Sequence, residues 1–551
     1  MMIYSEKTFT NSVETVIAFD NEGVKNAFRR LEELKNNLHI VGYIRYETKD
    51  VFLGKKIKSK LPLMYFECFK NYEKFSAPQN PPQVFLKLKP EISYENYANA
   101  IKKIKEEISN GNTYEVNYTC DFSVETQYSA EEIFYGILGK QKTPYCSLIK
   151  NKFEEIISFS PELFFRKDGN LILTKPMKGT IKRGKTEKED EDLKNYLKND
   201  EKNKAENVMI VDLLRNDLGR IAKTGSVKVP KLFEIETHET LHQMTSEITA
   251  ELPQNTTLFD IFNAIFPCGS ITGAPKISTM EIIDKVETGK RNVYCGAIGY
   301  IHKDFCEFSV PIRTLQKPVE KSTYNYRAGG AIVWDSSIKD EWNEVYLKTS
   351  FLSDNRKDWK IIETIRVKDL KPLYLEEHIK RLKNSADDLL YKFNENIFHI
   401  KFDQDGIYRI ELSQNGDFEV CFREYKENTS NKIKISSTKV SDKDLFLYHK
   451  TNFRPYFAKS SNLINNGEIY DEVFFNDKGE LTEGARSNII IKKDDKFYTP
   501  PVSCGLLNGI YRQYFLENFP CEEKVLYLED LKSADKIYCV NSVRGRKEVS
   551  L

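Results

Sequence analysis

Three kinds of residue in this 551-residue chain could do chemistry together: a lysine beside a glycine, spaced glutamates, and an arginine in an apolar run. Lys178 stands directly before Gly179 in Lys175-Pro-Met-Lys-Gly-Thr-Ile-Lys-Arg183, behind a strand-like run at 171–174. A lysine between a Pro turn and a Gly sits where backbone can come close to a ligand. It is a nucleophile only with a pKa well below the roughly 10.4 of a free lysine; otherwise it is a solvated cation. Glu162 lies upstream in Ser160-Pro-Glu162, and Glu206 downstream in a helical run at 204–218. Glu341, Glu344 and Lys348, spaced three then four, share one helical face. They read either as a salt-bridge ladder or as oxygen donors for a hard divalent ion such as Mg²⁺, with Glu206 as a further carboxylate. The turn Gly269-Ser-Ile-Thr-Gly-Ala-Pro-Lys276 can aim backbone N–H groups at an anion, though most such turns are only turns. Arg313, inside a run read as the strand 308–313, needs either an internal carboxylate or one on a substrate.

A second set lies near the C-terminus. Lys450 follows an apolar run in Leu445-Phe-Leu-Tyr-His-Lys450. Glu483 comes later, in Leu481-Thr-Glu-Gly-Ala-Arg-Ser-Asn488, and Gly505-Leu-Leu-Asn-Gly-Ile-Tyr-Arg512 follows. Taken singly these are a surface lysine, a turn acid and a helix start.

Among the elements that must position these groups, Ala27–Leu34 predicts an amphipathic helix and Ile40–Tyr46 a strand. Ser93 caps a helix whose Tyr97, Ile101, Ile104 and Ile108 share a face, ending at Asn110-Gly111. Strand patterns follow at 114–119, 146–149, 156–159 and 163–165. The charged run 182–204 reads as a solvated loop leading into the helix at 204–218. Beyond it come a helix at 280–284, strands at 296–301 and 328–334, and a helix at 339–350. Ser353–Asp358 is polar and unpatterned, hence a linker. A strand at 360–366 and a helix at 375–383 restart the pattern, followed by strands at 408–412, 419–422 and 432–435. The expected domains are therefore 1–352, with a catalytic core of about 90–350, and 359–551, joined by the linker 353–358.

The length calls for more than one domain. Charged residues make up 30% but the net charge is only +1, which argues against nucleic acid as the main partner. Ten cysteines without a CxxC pair predict free thiols in a reducing compartment. No leader pattern and no membrane-length apolar run is seen, so no membrane association and a cytoplasmic location are expected.

The motifs resemble the chorismate-utilising enzymes, specifically aminodeoxychorismate synthase component I. The carriers are Ser160–Glu162, Pro176–Thr180, Ala205-Glu206 with Val211–Gly219, Gly269–Lys276, Tyr294–Gly299, Ile312–Thr314, and Ala328–Gly330 with Glu341, Glu344 and Lys348. The resemblance implies an α+β fold: a large β-sandwich with surrounding helices, like anthranilate synthase component I. It implies that Lys178 attacks C2 of chorismate while Glu162 protonates the departing C4 hydroxyl, before ammonia adds at C4. Glu206 and Glu344, with Glu341 nearby, would hold Mg²⁺. Arg313, Lys348, Tyr294 and backbone at Gly273, Ala274, Gly329 and Gly330 would hold the substrate. Within the family, anthranilate synthases carry Ala at position 178, and the salicylate and isochorismate enzymes carry Lys at 115, where this chain has Glu. Gln243 replaces a His of anthranilate synthases. No glutaminase constellation is visible, so a separate glutaminase subunit is implied, unless free ammonia is used.

The order of the second set resembles the fold-type IV pyridoxal phosphate enzymes, and within them aminodeoxychorismate lyase, implying a smaller α/β domain. Lys450 would form the Schiff base, Glu483 would face the pyridine nitrogen, and Arg381, the Ile510 N–H and Ser542 would hold the phosphate. Tyr511 stands where the family usually has Thr. Together the two domains imply synthesis of 4-aminobenzoate for folate. Two alternatives stay open: an anthranilate-type synthase fused to an aminotransferase, and a second domain serving only as a scaffold.

Overall fold

In the strand His39–Ile44, Ile40 and Ile44 lie on one face, Val41 and Tyr43 on the other, and all four are buried. A strand apolar on both faces needs cover on both. Ile40 and Ile44 join a core with Phe28 of the helix Asn21–Leu34, Leu214 of Glu201–Gly219 and Phe262 of Leu258–Ile265. Val41 and Tyr43 instead pack with Met2, Tyr4, Ile149 and Ile156, which belong to a different sheet. The result is the expected sandwich: two ten-stranded sheets face to face, with helices on the outer face of the second. The computed structural model describes residues 1–551 apart from 79–80, 83, 85, 140–142, 185, 238–240, 350–351, 353–358, 390 and 458–459. The expected linker, 353–358, lies outside the described residues.

Two compact units divide the chain, Met1–Ser353 and Asp354–Leu551. Among the described residues of the first unit every strand pairing is antiparallel. One sheet ends in Gly273–Ala274 beside Glu115–Glu125, and the other ends in Met177–Lys182 beside Leu241–Glu251. Two of the connections that pass from sheet to sheet are short: a first crossing between Glu154–Ser160 and Leu163–Asp168, and a second between Phe305–Ser309 and Thr314–Pro318. Lys178, Glu162 and Arg313 lie at these edges and crossings.

Ser93 caps the helix Tyr94–Ser109 by accepting from the Asn96 N–H, as its sequence predicts. Two expectations fail. The charged run is a helix, Glu187–Asn199, capped by Thr186 and anchored by the buried Leu197. The strand expected to reach Arg313 stops at Ser309. Arg313 sits in the crossing, with φ of 54°, because the chain must turn there to change sheets.

The second unit opens with a four-stranded sheet, ordered 371–372, 361–368, 406–412, 418–423, packed on the helix Leu375–Asp388. A three-stranded and a five-stranded sheet follow and share one core through Val473, Leu481, Ile489 and Ile537. All ten cysteines are free. Among the described residues no helix is long and apolar enough to cross a membrane.

Candidate active sites

Lys178 owes its position to a break in strand pairing. Met177 faces Thr245 and Thr180 faces Gln243, so Lys178 and Gly179 together oppose the single residue Met244. Such a bulge bends the strand and re-aims a side chain. Gly179 supplies the left-handed φ of 79° that it requires. Gln243 braces the bulge from across the ladder, donating to Met177 Sδ at 2.9 Å. Lys178 Nζ then reaches Glu115 Oε1 at 3.1 Å, on the strand next to the edge of the other sheet, and stands 4.0 Å from Glu206 Oε2. Burial pulls the amine down, but Glu115, Glu206 and Glu162 outweigh it, so Lys178 is held above the ordinary lysine value. Of the two states open to it from the sequence, these carboxylates favour the charged one at rest.

Glu162 lies in the first crossing. Its Oε1 accepts from Ser270 Oγ at 2.5 Å, and both residues are buried. Burial lifts its carboxyl to about 7, against the pull of Ser270 and Lys178. A carboxyl that keeps its proton at neutral pH can deliver it. From the sequence, Ser270 is one residue of the Gly-rich turn among several, and its hydroxyl is a functional group that sequence reasoning misses. Glu115 marks a difference between relatives in the sequence; the structure makes it the partner of Lys178. Arg313 lies in the second crossing, where burial lowers its pKa and Tyr326 opposes that shift. The Tyr326 hydroxyl donates to the Lys348 carbonyl at 2.9 Å, tying the two candidate anion binders to one strand. Tyr294 is buried in the main core.

Glu341, Glu344 and Lys348 gather over Gly330, where an added Cβ would meet them at 3.3, 3.5 and 3.6 Å. Lys348 Nζ bridges Glu344 and the Gly329 carbonyl, at 2.7 Å each. Glu341 accepts from Ser336 Oγ at 2.7 Å. Gly330 pairs with Tyr118, three residues from Glu115, so the cluster is roughly 10 Å along the strand from the Lys178 partner. Gly273 and Gly329 have a structural reason to lack a side chain: a Cβ would fall 2.0 Å from the Glu115 carbonyl and 1.9 Å from that of Tyr118. Ala274 pairs with Glu115 itself. Among the described residues no three His, Cys, Asp or Glu side chains stand together to hold an ion unaided. Mg²⁺ commonly takes one or two carboxylates and completes its shell with waters and substrate oxygens. The all-oxygen donors Glu206 and Glu344, each partly open to solvent, fit that demand.

In the second unit, burial pulls the Lys450 amine down to about 7; Glu363 opposes this, and Arg381, Arg454 and Arg409 add to it. Its backbone carbonyl accepts from the Ile362 N–H at 2.8 Å, next to Glu363. Glu363 takes both ends of a fork from Arg381, at 2.7 and 2.8 Å, and accepts from His378 at 2.6 Å. The resemblance puts Arg381 on a phosphate, yet two of its guanidinium nitrogens are committed to this carboxylate, and Glu363 is a partner of Arg381 that sequence reasoning misses. Glu483 is buried, with Oε1 lacking a hydrogen-bond partner and Arg454 at 3.6 Å. Burial pushes it up to about 8, despite Arg454. Asn488 joins this acid to the helix Ile510–Asn518, donating to Glu483 Oε2 at 3.4 Å and to the Leu507 carbonyl at 2.9 Å. An unsatisfied buried acid, a lysine poised near neutrality and a helix N-terminus suit pyridoxal phosphate. Ser542 is buried in the turn after the strand Lys536–Asn541. Tyr511 packs edge-on against Tyr374.

Comparison with known proteins follows this division. Residues 4–354 match the family described as chorismate binding enzyme, and residues 360–550 match amino-transferase class IV. Over 264 residues the chain is 39% identical to aminodeoxychorismate synthase component 1 of Escherichia coli K12, covering 47% of this chain and 57% of that one. It is 41% identical over 264 residues to the probable chloroplastic aminodeoxychorismate synthase of Oryza sativa subsp. japonica, covering 47% of this chain and 29% of that protein. The chain thus spans about half or less of the length of these relatives. Anthranilate synthase component I from Streptococcus pneumoniae TIGR4 shares the fold of the first unit, with a TM-score of 0.55 at 24% identity, over 64% of this chain and 92% of that one.

Proposed function

The chain belongs to the chorismate binding enzyme family, and from that membership we propose that it makes 4-aminobenzoate in two steps. The first unit aminates chorismate at C4 to 4-amino-4-deoxychorismate. The second eliminates pyruvate from that compound. The observation that carries this reading is the bulge that lifts Lys178 out of its strand to meet Glu115, with Glu206 and Glu162 close by.

In this reading the Lys178 amine bonds to C2 of chorismate as the C4 hydroxyl departs with the Glu162 proton as water. Ammonia then bonds to C4 and the lysine leaves C2, restoring the free side chain. Glu206 and Glu344, with Glu341 beside them, would hold Mg²⁺, which supplies positive charge against the ring carboxylate. Glu206 so engaged no longer helps hold Lys178 charged, which favours the neutral amine. Arg313 and Lys348 take the substrate's carboxylates. Ammonia comes from a separate glutaminase subunit.

Pyridoxal phosphate, when bound in the second unit, supplies an electron sink for breaking a bond to hydrogen. Lys450, with its amine near neutrality, is the group to join the aldehyde and then to carry the C4 proton. Glu483 would face the ring nitrogen through Oε1, which has no hydrogen-bond partner among the described residues. The Ile510 N–H would hold the phosphate, assisted by the third guanidinium nitrogen of Arg381 and by Ser542.

The deciding experiment incubates purified protein with chorismate, Mg²⁺, ammonium and pyridoxal phosphate and identifies the products by mass. 4-Aminobenzoate with pyruvate is expected. Anthranilate would overturn the amination site, and 4-amino-4-deoxychorismate alone would overturn the second step.

A further inference from the structure

The second unit contains a cavity of about 590 Å³ whose wall carries Arg423, Lys426, Arg486 and Arg544 against only two carboxylates, Glu424 and Glu427. Lys450, Glu483, Arg381 and Ile510 do not line it. The three arginines converge from separate parts of the chain: the end of the strand Phe418–Arg423, the turn after Glu483, and the turn after Asn541. They are close enough to oppose one another's charge. Partial desolvation lowers the pKa of Arg423 and of Arg486; Asp471 opposes the shift of Arg486, and Arg544 lowers both further.

Their donors are under-used. The Arg544 Nε is buried without a hydrogen-bond partner. Arg486 gives its backbone N–H to Asp471, at 3.2 and 3.3 Å, while its guanidinium donates to the neutral Asn465 Oδ1 at 2.7 Å. Among the described residues none of the three makes an ion pair within 4 Å. Like charges brought together around a cavity repel unless an anion sits between them. Guanidinium groups match the planar, two-oxygen edges of carboxylate and phosphate.

We propose that this cavity binds a small dianion, a dicarboxylate or a phosphoryl group, through Arg423, Arg486 and Arg544. The inference does not depend on the lyase reading and survives its failure. The test is titration calorimetry on the full-length chain saturated with pyridoxal phosphate, so that the cofactor's own phosphate subsite is filled. The probes are benzene-1,3-dicarboxylate, inorganic phosphate and, as the monoanion control, benzoate. At least one dianion should bind about tenfold or more tightly than benzoate. The variant R423Q/R544Q should bind that dianion at least about tenfold more weakly, as expected from losing charge-assisted bonds. Preference for the dicarboxylate assigns carboxylate recognition; preference for phosphate assigns a phosphoryl ligand. Dianions no tighter than benzoate, or binding unchanged in the variant, would overturn the proposal. Arg423 is exposed, so R423Q alone replaces the double variant if that unfolds. It should weaken the dianion several-fold, and an unchanged affinity would again overturn the proposal.

Discussion

Replacing Ser270 by Ala removes the hydroxyl that donates to Glu162 Oε1 at 2.5 Å. In the intact protein, burial lifts Glu162 to about 7, while Ser270 and then Lys178 hold it below a still higher value. A hydrogen bond to a charged group is worth about 1.5–3 kcal/mol, and one pKa unit is about 1.36 kcal/mol. The lower end of that range, about 1.5 kcal/mol, corresponds to roughly one unit. S270A should therefore raise the Glu162 midpoint by roughly one unit. The sign follows from the charge: losing a donor to the carboxylate disfavours the ionised form, so the proton is held to higher pH. Infrared difference spectroscopy reads this directly. The spectrum of E162Q is subtracted from that of wild type, and S270A/E162Q from S270A, and the protonated carbonyl stretch is followed with pH. The subtraction removes the other raised carboxyl groups, among them Glu483, Asp471, Glu47, Asp121 and Asp217. A midpoint that stays put or falls in S270A would refute the role of Ser270. A wild-type midpoint near 4.5, the value expected without burial, would refute the argument that burial dominates this acid.

K178A should lose C4 amination while keeping chorismate affinity within a few-fold; product mass and equilibrium binding measure the two separately, and full activity would remove the covalent route. In K450A, 4-amino-4-deoxychorismate should accumulate, and continued 4-aminobenzoate formation by the pure variant would sink the lyase assignment. G179A forces a side chain into a left-handed φ of 79° and puts Cβ 2.8 Å from Asn203. Its stability should fall by about 1–2 kcal/mol in denaturant melts, with a larger proportional loss of rate because Lys178 is displaced. G330A crowds Glu341 and Glu344; the Mg²⁺ concentration for half-maximal rate should rise several-fold, and an unchanged value would argue against these donors.

The parts of the fold that sequence conveys best are those with one dominant local cause. Ser93 is a cap because its side chain has a nearby N–H to accept from, and the helix after it has a clean apolar stripe. The buried runs at 39–44 and 154–160 are apolar enough to announce themselves. Glu187–Asn199 escapes notice because it buries little beyond Leu197, so its charge outweighs its thin stripe. Arg313 is misplaced because the turn between sheets is imposed by tertiary structure; the residues around it, Val310, Pro311 and Ile312, carry the same apolar signal as a strand. At the site, residue types and order point to Lys178, Glu162 and Glu206 together. Glu115 and Ser270 as their immediate partners are not legible, since they come from a strand of the opposite sheet and from a turn 108 positions beyond Glu162. The fork between Arg381 and Glu363 is hidden for the same reason: a helix and a neighbouring strand must first be packed.

The weave of the two large sheets also bears on how the protein is made. Ile3 pairs with Leu148, Ile40 with Ile301, and Tyr118 with Gly330. None of these three ladders can close between near neighbours in sequence. Chains dominated by such distant pairings fold slowly, because loop closure precedes the reward of contact. During synthesis Met2–Tyr4 must therefore wait for Tyr145–Lys150, and His39–Ile44 for Ala297–His302, while the ladder of Glu115–Glu125 with Tyr324–Ile332 closes later still. The early apolar strands are then the segments most exposed to aggregation and most in need of chaperone cover.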